Sequence, residues 1–362
     1  MPIIVKLRSR NFGSFIEFQD STPVSETASL NAAMIKIATK PQEIDRRHGT
    51  ESIPAIGTYV RDPRNLSCPN GGRFASGQQL GEPDAILTVV TAVLNCAKTL
   101  PKTFDSIRSQ TYRNIQYIVI DGGSQDGTLE LIKEQEANLH IWLSEPDHGI
   151  SDAFNKGIAL ASGKYVALVN ADDWLEPDHF RIAIDCLEQS NCDFTFGNLM
   201  FHNSDGTPLY TVLGDPRYAQ HILHSMPSVN HPSIVCRRDL YERNGLFDNT
   251  FRIAMDYEWL LRNHKQGARG TYLPDITSHM GTDGISQRSI LASLREVERA
   301  SVRHGYSARL ARIRYWFRAT KVTLRLFIER RLSVSLAKSM RAVLNSRYKR
   351  HQSINSNASK SH

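Results

Sequence analysis

Between Ala85 and Ser190 the chain alternates short, densely apolar runs with stretches of helical period, and this restricts the fold more than any other feature. Ile86-Leu87-Thr88-Val89-Val90-Thr91-Ala92-Val93-Leu94 has the length and β-branching of a strand buried on both faces, and Asn95 ends it. Leu100 to Gln110 reads as a helix with Leu100, Phe104 and Ile107 on one side. Tyr117 to Ile120 is the next strand, stopped by Asp121-Gly122-Gly123. Helices over Thr128 to Glu136, Asp152 to Ala161 and Phe180 to Ser190 are separated by strands at Ile141 to Leu143 and Tyr165 to Val169. Gly163 fits a position just past the Asp152 helix. The alternation predicts a doubly wound α/β domain with a mostly parallel sheet flanked by helices. Ligands bind such sheets at the carboxyl ends of the strands. Asn95, Asp121 and the pair Asp172/Asp173 all fall there.

The pair closes the run Leu168-Val169-Asn170-Ala171-Asp172-Asp173-Trp174. Two adjacent carboxylates repel unless something positive lies between them. A divalent cation carrying a diphosphate meets that need, because hard cations take oxygen ligands and share them with phosphates. A solvated acidic turn capping the next helix fits the same residues.

The turn Asp121-Gly122-Gly123-Ser124-Gln125-Asp126-Gly127-Thr128 joins a strand to a helix. Its glycines allow close approach, and the helix start offers free N–H groups. It is neither a dinucleotide fingerprint nor a Walker motif. Asp126 or Thr128 can cap the helix, while Asp121 at the strand tip can accept hydrogen bonds from a base or a ribose. Lys156 can face a diphosphate or be a solvated helix lysine. Met255-Asp256-Tyr257-Glu258 opens a helix running to Lys265, in which Glu258 and Arg262 have the spacing of an ion pair. Asp256 can project from the helix start into a cleft and take a proton from a hydroxyl. His279 can be a metal ligand or a satisfied structural histidine.

Residues 1–83, punctuated by Pro, Gly and Ser, read as an extension with little regular structure. Residues 84–286 form the expected α/β domain, 287–350 a basic helical segment and 351–362 a disordered polar tail. The net charge of +7 suits an anionic partner. The five cysteines, Cys68, Cys96, Cys186, Cys192 and Cys236, lack zinc-site spacing and are expected to be reduced. With no signal-peptide pattern and no apolar run of spanning length, the chain is expected in the cytoplasm, at most peripheral on the inner face of the plasma membrane.

The ordered set Val93-Leu94-Asn95, Ile120 to Thr128, Asn155-Lys156-Gly157, Asn170-Ala171-Asp172-Asp173 and Met255 to Glu258 with Arg262 resembles family 2 glycosyltransferases of the GT-A fold, in particular enzymes of bacterial surface-polysaccharide assembly. The resemblance covers about residues 85–286. It implies inverting transfer from a nucleotide-diphosphate sugar, usually a UDP-sugar, with Mg²⁺ or Mn²⁺, to a glycan or polyprenyl-linked acceptor. By position it implies that Thr91, Asn95 and Asp121 line the nucleotide site, and Ser124, Lys156 and Asn170 are further candidates for that site. Asn170 and Asp172 stand at the D-x-D position, with Asp172 the primary metal ligand and Asp173 beside it. Asp256 is the implied general base. The chain departs from the family pattern at Asn170, where the first aspartate of D-x-D usually stands, and at Met255, where many members have Glu.

From Leu310, apolar residues recur at Ile313, Phe317, Leu324 and Phe327, flanked by Arg314, Arg318, Lys321 and Arg325. Two readings fit: residues 309–350 lie on an anionic membrane surface, or the helix packs on the catalytic domain with a solvated basic face. No nucleic-acid-binding module is recognisable, and no nucleic-acid partner is expected. Nucleotidyl transfer on a related α/β architecture and a non-catalytic scaffold are the competing functions. The first would release pyrophosphate, and the second would show no metal-dependent turnover.

Overall fold

The computed structural model describes residues 53–59, 70–71, 86–281 and 290–331. Most of the 1–83 extension, the turn Thr282 to Ser286, and everything after Arg331, including the 351–362 tail, lie outside the described residues.

The expected strands and helices form, with ends displaced by at most two residues. They are β2 (Leu87–Val93), α1 (Leu100–Arg108), β3 (Ile115–Asp121), α2 (Thr128–Glu134), β4 (Ile141–Ser144), α3 (Ile150–Ala159), β5 (Tyr165–Asn170) and α4 (His179–Gln189). The two-residue strand β1 (Asn70–Gly71) precedes them, and β6 (Asp173–Leu175) sits between β5 and α4. Then come β7 (Phe194–His202), β8 (Pro208–Val212), β9 (Val235–Arg237), α5 (Asp239–Asn244), α6 (Met255–Lys265) and β10 (Gly270–Gly281). Two helices close the described chain, α7 (Ile290–Arg303) and α8 (Ala308–Arg331).

Among the described residues the strands make one sheet in the order β1-β4-β3-β2-β5-β9-β7-β10-β6, with β8 on β7. Strands β4, β3, β2 and β5 are parallel neighbours, and β10 runs parallel to β7. Antiparallel pairings join β1, β6, β8 and β9 to this frame. Strand β1, from the N-terminal extension, covers the outer edge of β4.

Strand β2 is buried along its whole length, which is why it reads as a continuous apolar run. Its side chains alternate between two cores. Val90 and Ala92 join Phe154 and Ile158 of α3 and Trp259 to Leu261 of α6. Leu87, Val89 and Val93 join Phe104 and Ile107 of α1 and Phe180 and Ala183 of α4. Helix α3 lies so close to β2 that a Cβ on Gly157 would sit 2.2 Å from Val90 Cγ1. Gly163 has a different role from the helix stop expected of it. Helix α3 ends at Ala159, and Gly163 lets the chain pass the backbone of Thr88, whose N would lie 2.6 Å from an added Cβ.

Candidate active site

Register aligns the carboxyl ends of the parallel strands. Ser144 of β4 is opposite Asp121 of β3, Asp121 is opposite Val93 of β2, and Ala92 is opposite Asn170 of β5. One sheet edge therefore presents Ser144, Asp121, Asn95 and Asn170 in sequence, at the place where open α/β sheets bind ligands.

Asp121 is fully buried, and its carboxylate accepts from Ser124 N (3.2 Å), Ser124 Oγ (2.5 Å) and Ser144 Oγ (2.5 Å). These donors hold both oxygens in a fixed direction, yet a carboxylate has lone pairs for further partners. Asn95 has φ +53, a left-handed conformation that asparagine tolerates better than most residues. Its N–H donates to Ser124 Oγ (2.8 Å), and its Oδ1 accepts from Gln125 N (2.9 Å). Cys96 N donates to Thr128 Oγ1 and Ala97 N to Asp126. The glycine-rich turn thus braces the loop after β2 through Ser124, Asp126 and Thr128. Thr91 is not brought to this edge. It is fully buried within β2, with its hydroxyl 3.1 Å from the Tyr117 hydroxyl in the α1/α4 core.

Lys156, on α3, lies 2.9 Å from Glu145, the residue just past β4, and 3.4 Å from Asp152. Tyr59 donates to Asp152 (2.8 Å) and accepts from Asn249 (2.7 Å), so a piece of the N-terminal extension ties α3 to the loop before α6.

The acidic turn carries uncompensated polarity. Asn170 Nδ2 donates to Asp173 Oδ2 (2.7 Å), but Asn170 Oδ1 and Asp173 Oδ1 are buried without a hydrogen-bond partner. Burial raises the pKa of Asp172, and burial together with the Asp172 charge pushes Asp173 well above the usual carboxylate range. A carboxylate held this way calls for a proton or a cation. Two carboxylates and an amide oxygen are hard donors suited to Mg²⁺ or Mn²⁺. Among the described residues no three His, Cys, Asp or Glu side chains converge into a ready-made cage. A cation here would draw its remaining ligands from water and substrate phosphates.

His279 is brought beside this turn, in β10 opposite Trp174 of β6, with Met280 opposite Asp173. Both its ring nitrogens are engaged, Nδ1 with His202 Nε2 (3.0 Å) and Nε2 with Glu176 Oε1 (2.7 Å). The ring stacks on Trp174 at 5.2 Å, and Lys102 Nζ covers the indole. In this conformation His279 is a satisfied histidine that buttresses the acidic turn.

Asp256 stands in the first turn of α6 and is partly exposed. Burial pushes its carboxyl up to about 6 and Glu296 adds to the rise, against an opposing bond from Tyr257 N (2.8 Å). The segment leading into α6 rests on the start of α3. Ser151 Oγ donates to Phe251 O (2.9 Å) and lies 2.9 Å from Met255 Sδ. Asn155 binds the Phe247 backbone through both N–H and C=O. Helix α3 starts just beyond the carboxyl end of β4, so these bonds set the beginning of α6 on the ligand-binding side of the sheet.

Glu258, also in α6, is fully buried and paired with Arg262 (3.1 Å) and His304 (3.0 Å). Burial works to raise its pKa, but His304 and Arg262 hold it below the ordinary value. Arg262 also donates to Gly245 O and Leu246 O beyond α5. Glu258 is therefore structural, as its spacing to Arg262 implied.

Sequence reasoning passed over Ser144 and Glu296. Ser144 is the polar end of a short apolar strand, a signal that was readable. Glu296 of α7 accepts from the N–H groups of Arg252 (3.1 Å), Ile253 (2.9 Å) and Ala254 (2.8 Å), capping α6 from another helix. Its signal was its rarity, as one of few acids in an arginine-rich stretch.

A parallel half-sheet flanked by helices and continued by mixed strands is the arrangement of the GT-A fold. A family model described as glycosyl transferase family 2 matches residues 88–245. The chain is 35% identical over 138 residues to glycosyltransferase GlyA of Streptococcus pneumoniae, a match covering 37% of this chain and 20% of that protein. It is 34% identical over 179 residues to an uncharacterized glycosyltransferase of Mycobacterium tuberculosis, covering 49% of this chain and 68% of the relative. Among solved structures, a mannosyltransferase from Pyrobaculum calidifontis in complex with GDP-Man and Mn²⁺ superposes with a TM-score of 0.51 at 17% identity, over 76% of this chain and 88% of that one. This chain belongs to glycosyl transferase family 2.

Proposed function

We propose that the protein is an inverting glycosyltransferase. It moves a hexosyl or N-acetylhexosaminyl group from a nucleotide-diphosphate sugar, a UDP-sugar first among them, to a hydroxyl of a glycan or polyprenyl-linked acceptor. The observation that carries the reading is the pairing of two unlike acidic sites. Orphaned oxygens cluster at Asn170 and Asp173 beside Asp172, and a carboxyl raised to about 6 sits at Asp256. One suits a divalent cation carrying a diphosphate and the other suits proton removal near neutral pH.

In this reading Asn95, Asp121 and Ser124 receive the nucleoside. Lys156 turns from Glu145 toward the diphosphate. Asp172, with Asn170 and Asp173, would hold Mg²⁺ or Mn²⁺, which when bound offsets the charge developing on the leaving diphosphate. Asp256 takes the proton of the acceptor hydroxyl as its oxygen attacks the anomeric carbon. The bond from that carbon to the diphosphate oxygen breaks on the opposite face, so the nucleoside diphosphate leaves and the configuration inverts. The GDP-Man and Mn²⁺ bound by the mannosyltransferase of the same fold support a nucleotide-diphosphate sugar as donor and a divalent metal.

A thermal-shift screen of UDP-, GDP- and dTDP-sugars, each with and without Mn²⁺, tests the proposal. Saturation at about 100 times Kd stabilises a fold by ~2.7 kcal/mol, a shift of several degrees. A UDP-sugar with Mn²⁺ is expected to give that shift, and Mn²⁺ alone a smaller one. Pyrophosphate release from a nucleoside triphosphate would move the protein to the nucleotidyltransferases.

A further inference from the structure

Over Ala308 to Leu324, helix α8 has two apolar stripes, one packed and one not. Ala311, Tyr315 and Ala319 recur every fourth residue and are buried. Leu310, Ile313, Phe317 and Leu324 make a second stripe that stays in water, with Ile313 65% and Phe317 68% exposed. Trp316, 60% exposed, borders it. At about 100° per residue the two stripes lie on roughly opposite sides of the helix. The helix is therefore docked on the catalytic unit by one face and unpartnered on the other, a pairing of the two readings that the sequence left apart.

The charges beside the exposed stripe narrow the choice of partner. Arg314 and Lys321 flank it on one side and Arg309 on the other, all exposed. No acidic residue occurs from Ala308 to Arg325. A second copy docking through this face would bring like charges together with no acid to compensate them. A helix that is apolar along one line, cationic along both borders and carries a tryptophan at the margin matches an anionic bilayer surface. Between α7 and α8, Arg295, Arg299 and Arg312 with Glu298 and Trp316 line an open cleft of about 510 Å³, in which Glu298 pairs with Arg312 (2.7 Å). No described helix is long and apolar enough to cross a membrane, so the contact is one of lying on the surface.

We propose that the outward face of α8, through Leu310, Ile313, Phe317 and Leu324 with Arg309, Arg314 and Lys321, seats the protein on an anionic lipid surface. Helix α7, packed on α8, also supplies the Glu296 cap of α6, so the seat and the Asp256 helix share one support.

Co-sedimentation of the full chain with vesicles of phosphatidylcholine, alone or mixed with phosphatidylglycerol, tests this. The protein is expected to pellet with the mixed vesicles, far less with the neutral ones, and progressively less as salt rises. Ile313→Ser with Phe317→Ser is expected to weaken partition by ~10-fold or more, because these side chains supply the buried apolar area. Arg309→Gln with Lys321→Gln is expected to weaken it several-fold on anionic vesicles only. Both pairs replace side chains that face water, and unchanged circular dichroism checks that they fold. Equal pelleting with neutral and anionic vesicles would overturn the proposal, as would a serine variant that pellets like the wild type. A wild-type dimer that the serine variant dissociates, with no vesicle binding, would assign the face to a second copy and also overturn it. No sugar donor enters the assay, so the result is independent of the transfer reading.

Discussion

Replacing Asp256 by asparagine should remove activity and add stability. Burial and the Glu296 charge lift the Asp256 carboxyl from the ordinary 3.8 to about 6 in the folded chain. The folded state therefore binds this proton more tightly than the unfolded state does. Well below the ordinary value both states are protonated and the site costs nothing. As pH rises toward about 6 the unfolded chain ionises first and folded stability falls, and above that the whole penalty is present. The displacement corresponds to ~3 kcal/mol, which partial exposure of the residue reduces to ~2 kcal/mol. Asparagine carries no charge and keeps an oxygen for the Tyr257 N–H. Urea denaturation followed by tryptophan fluorescence should find Asp256→Asn more stable than wild type by ~2 kcal/mol near pH 8 and no more stable near pH 4. Turnover should fall by ~10²–10⁴-fold, the range for loss of a general base. A stability difference that does not change with pH would refute the reasoning about the site's electrostatics.

Glu296→Gln removes the neighbouring charge that helps raise Asp256, so the acidic limb of the kcat/KM profile, expected near pH 6 in wild type, should move to lower pH. Asp172→Ala should abolish metal-dependent transfer while leaving circular dichroism unchanged. Arg262→Ala leaves the buried Glu258 with His304 alone, and denaturant titration should show a loss of ~3–5 kcal/mol. Gly157→Ala drives a methyl into Val90, and calorimetry should record a destabilisation of ~1–3 kcal/mol.

The parallel half of the sheet was legible because β2, β3, β4 and β5 are buried and each is followed by a polar stop. The second half was not. Strand β10 carries Pro274 and Asp275 where its pairing with β7 shifts register between Tyr272 and Thr277, so no continuous strand pattern exists to read. Strand β7 contains Gly197 and Asn198, which serve tertiary contacts. Asn198 binds Pro274 O and Tyr272, and Gly197 N donates to Ser233 Oγ. At the site, the residue types at strand ends were readable, but their partners were not. Glu296 reaches Arg252 to Ala254 across more than forty residues of sequence, and the His202–His279–Glu176 chain assembles from three separate strands or loops. The C-terminal apolar stripe was legible, but the packed stripe of Ala311, Tyr315 and Ala319 was hidden because two of its three members are small.

The division of labour between the two acidic sites is tested most directly by calorimetric titration of UDP, with Mn²⁺ present, into wild type, Asp172→Ala and Asp256→Asn, alongside transfer assays. Wild type and Asp256→Asn should bind UDP alike, Asp172→Ala should bind at least ~10-fold more weakly, and both variants should lose transfer by ~10²-fold or more. Wild-type UDP affinity in Asp172→Ala, or wild-type turnover in Asp256→Asn, would contradict the assignment.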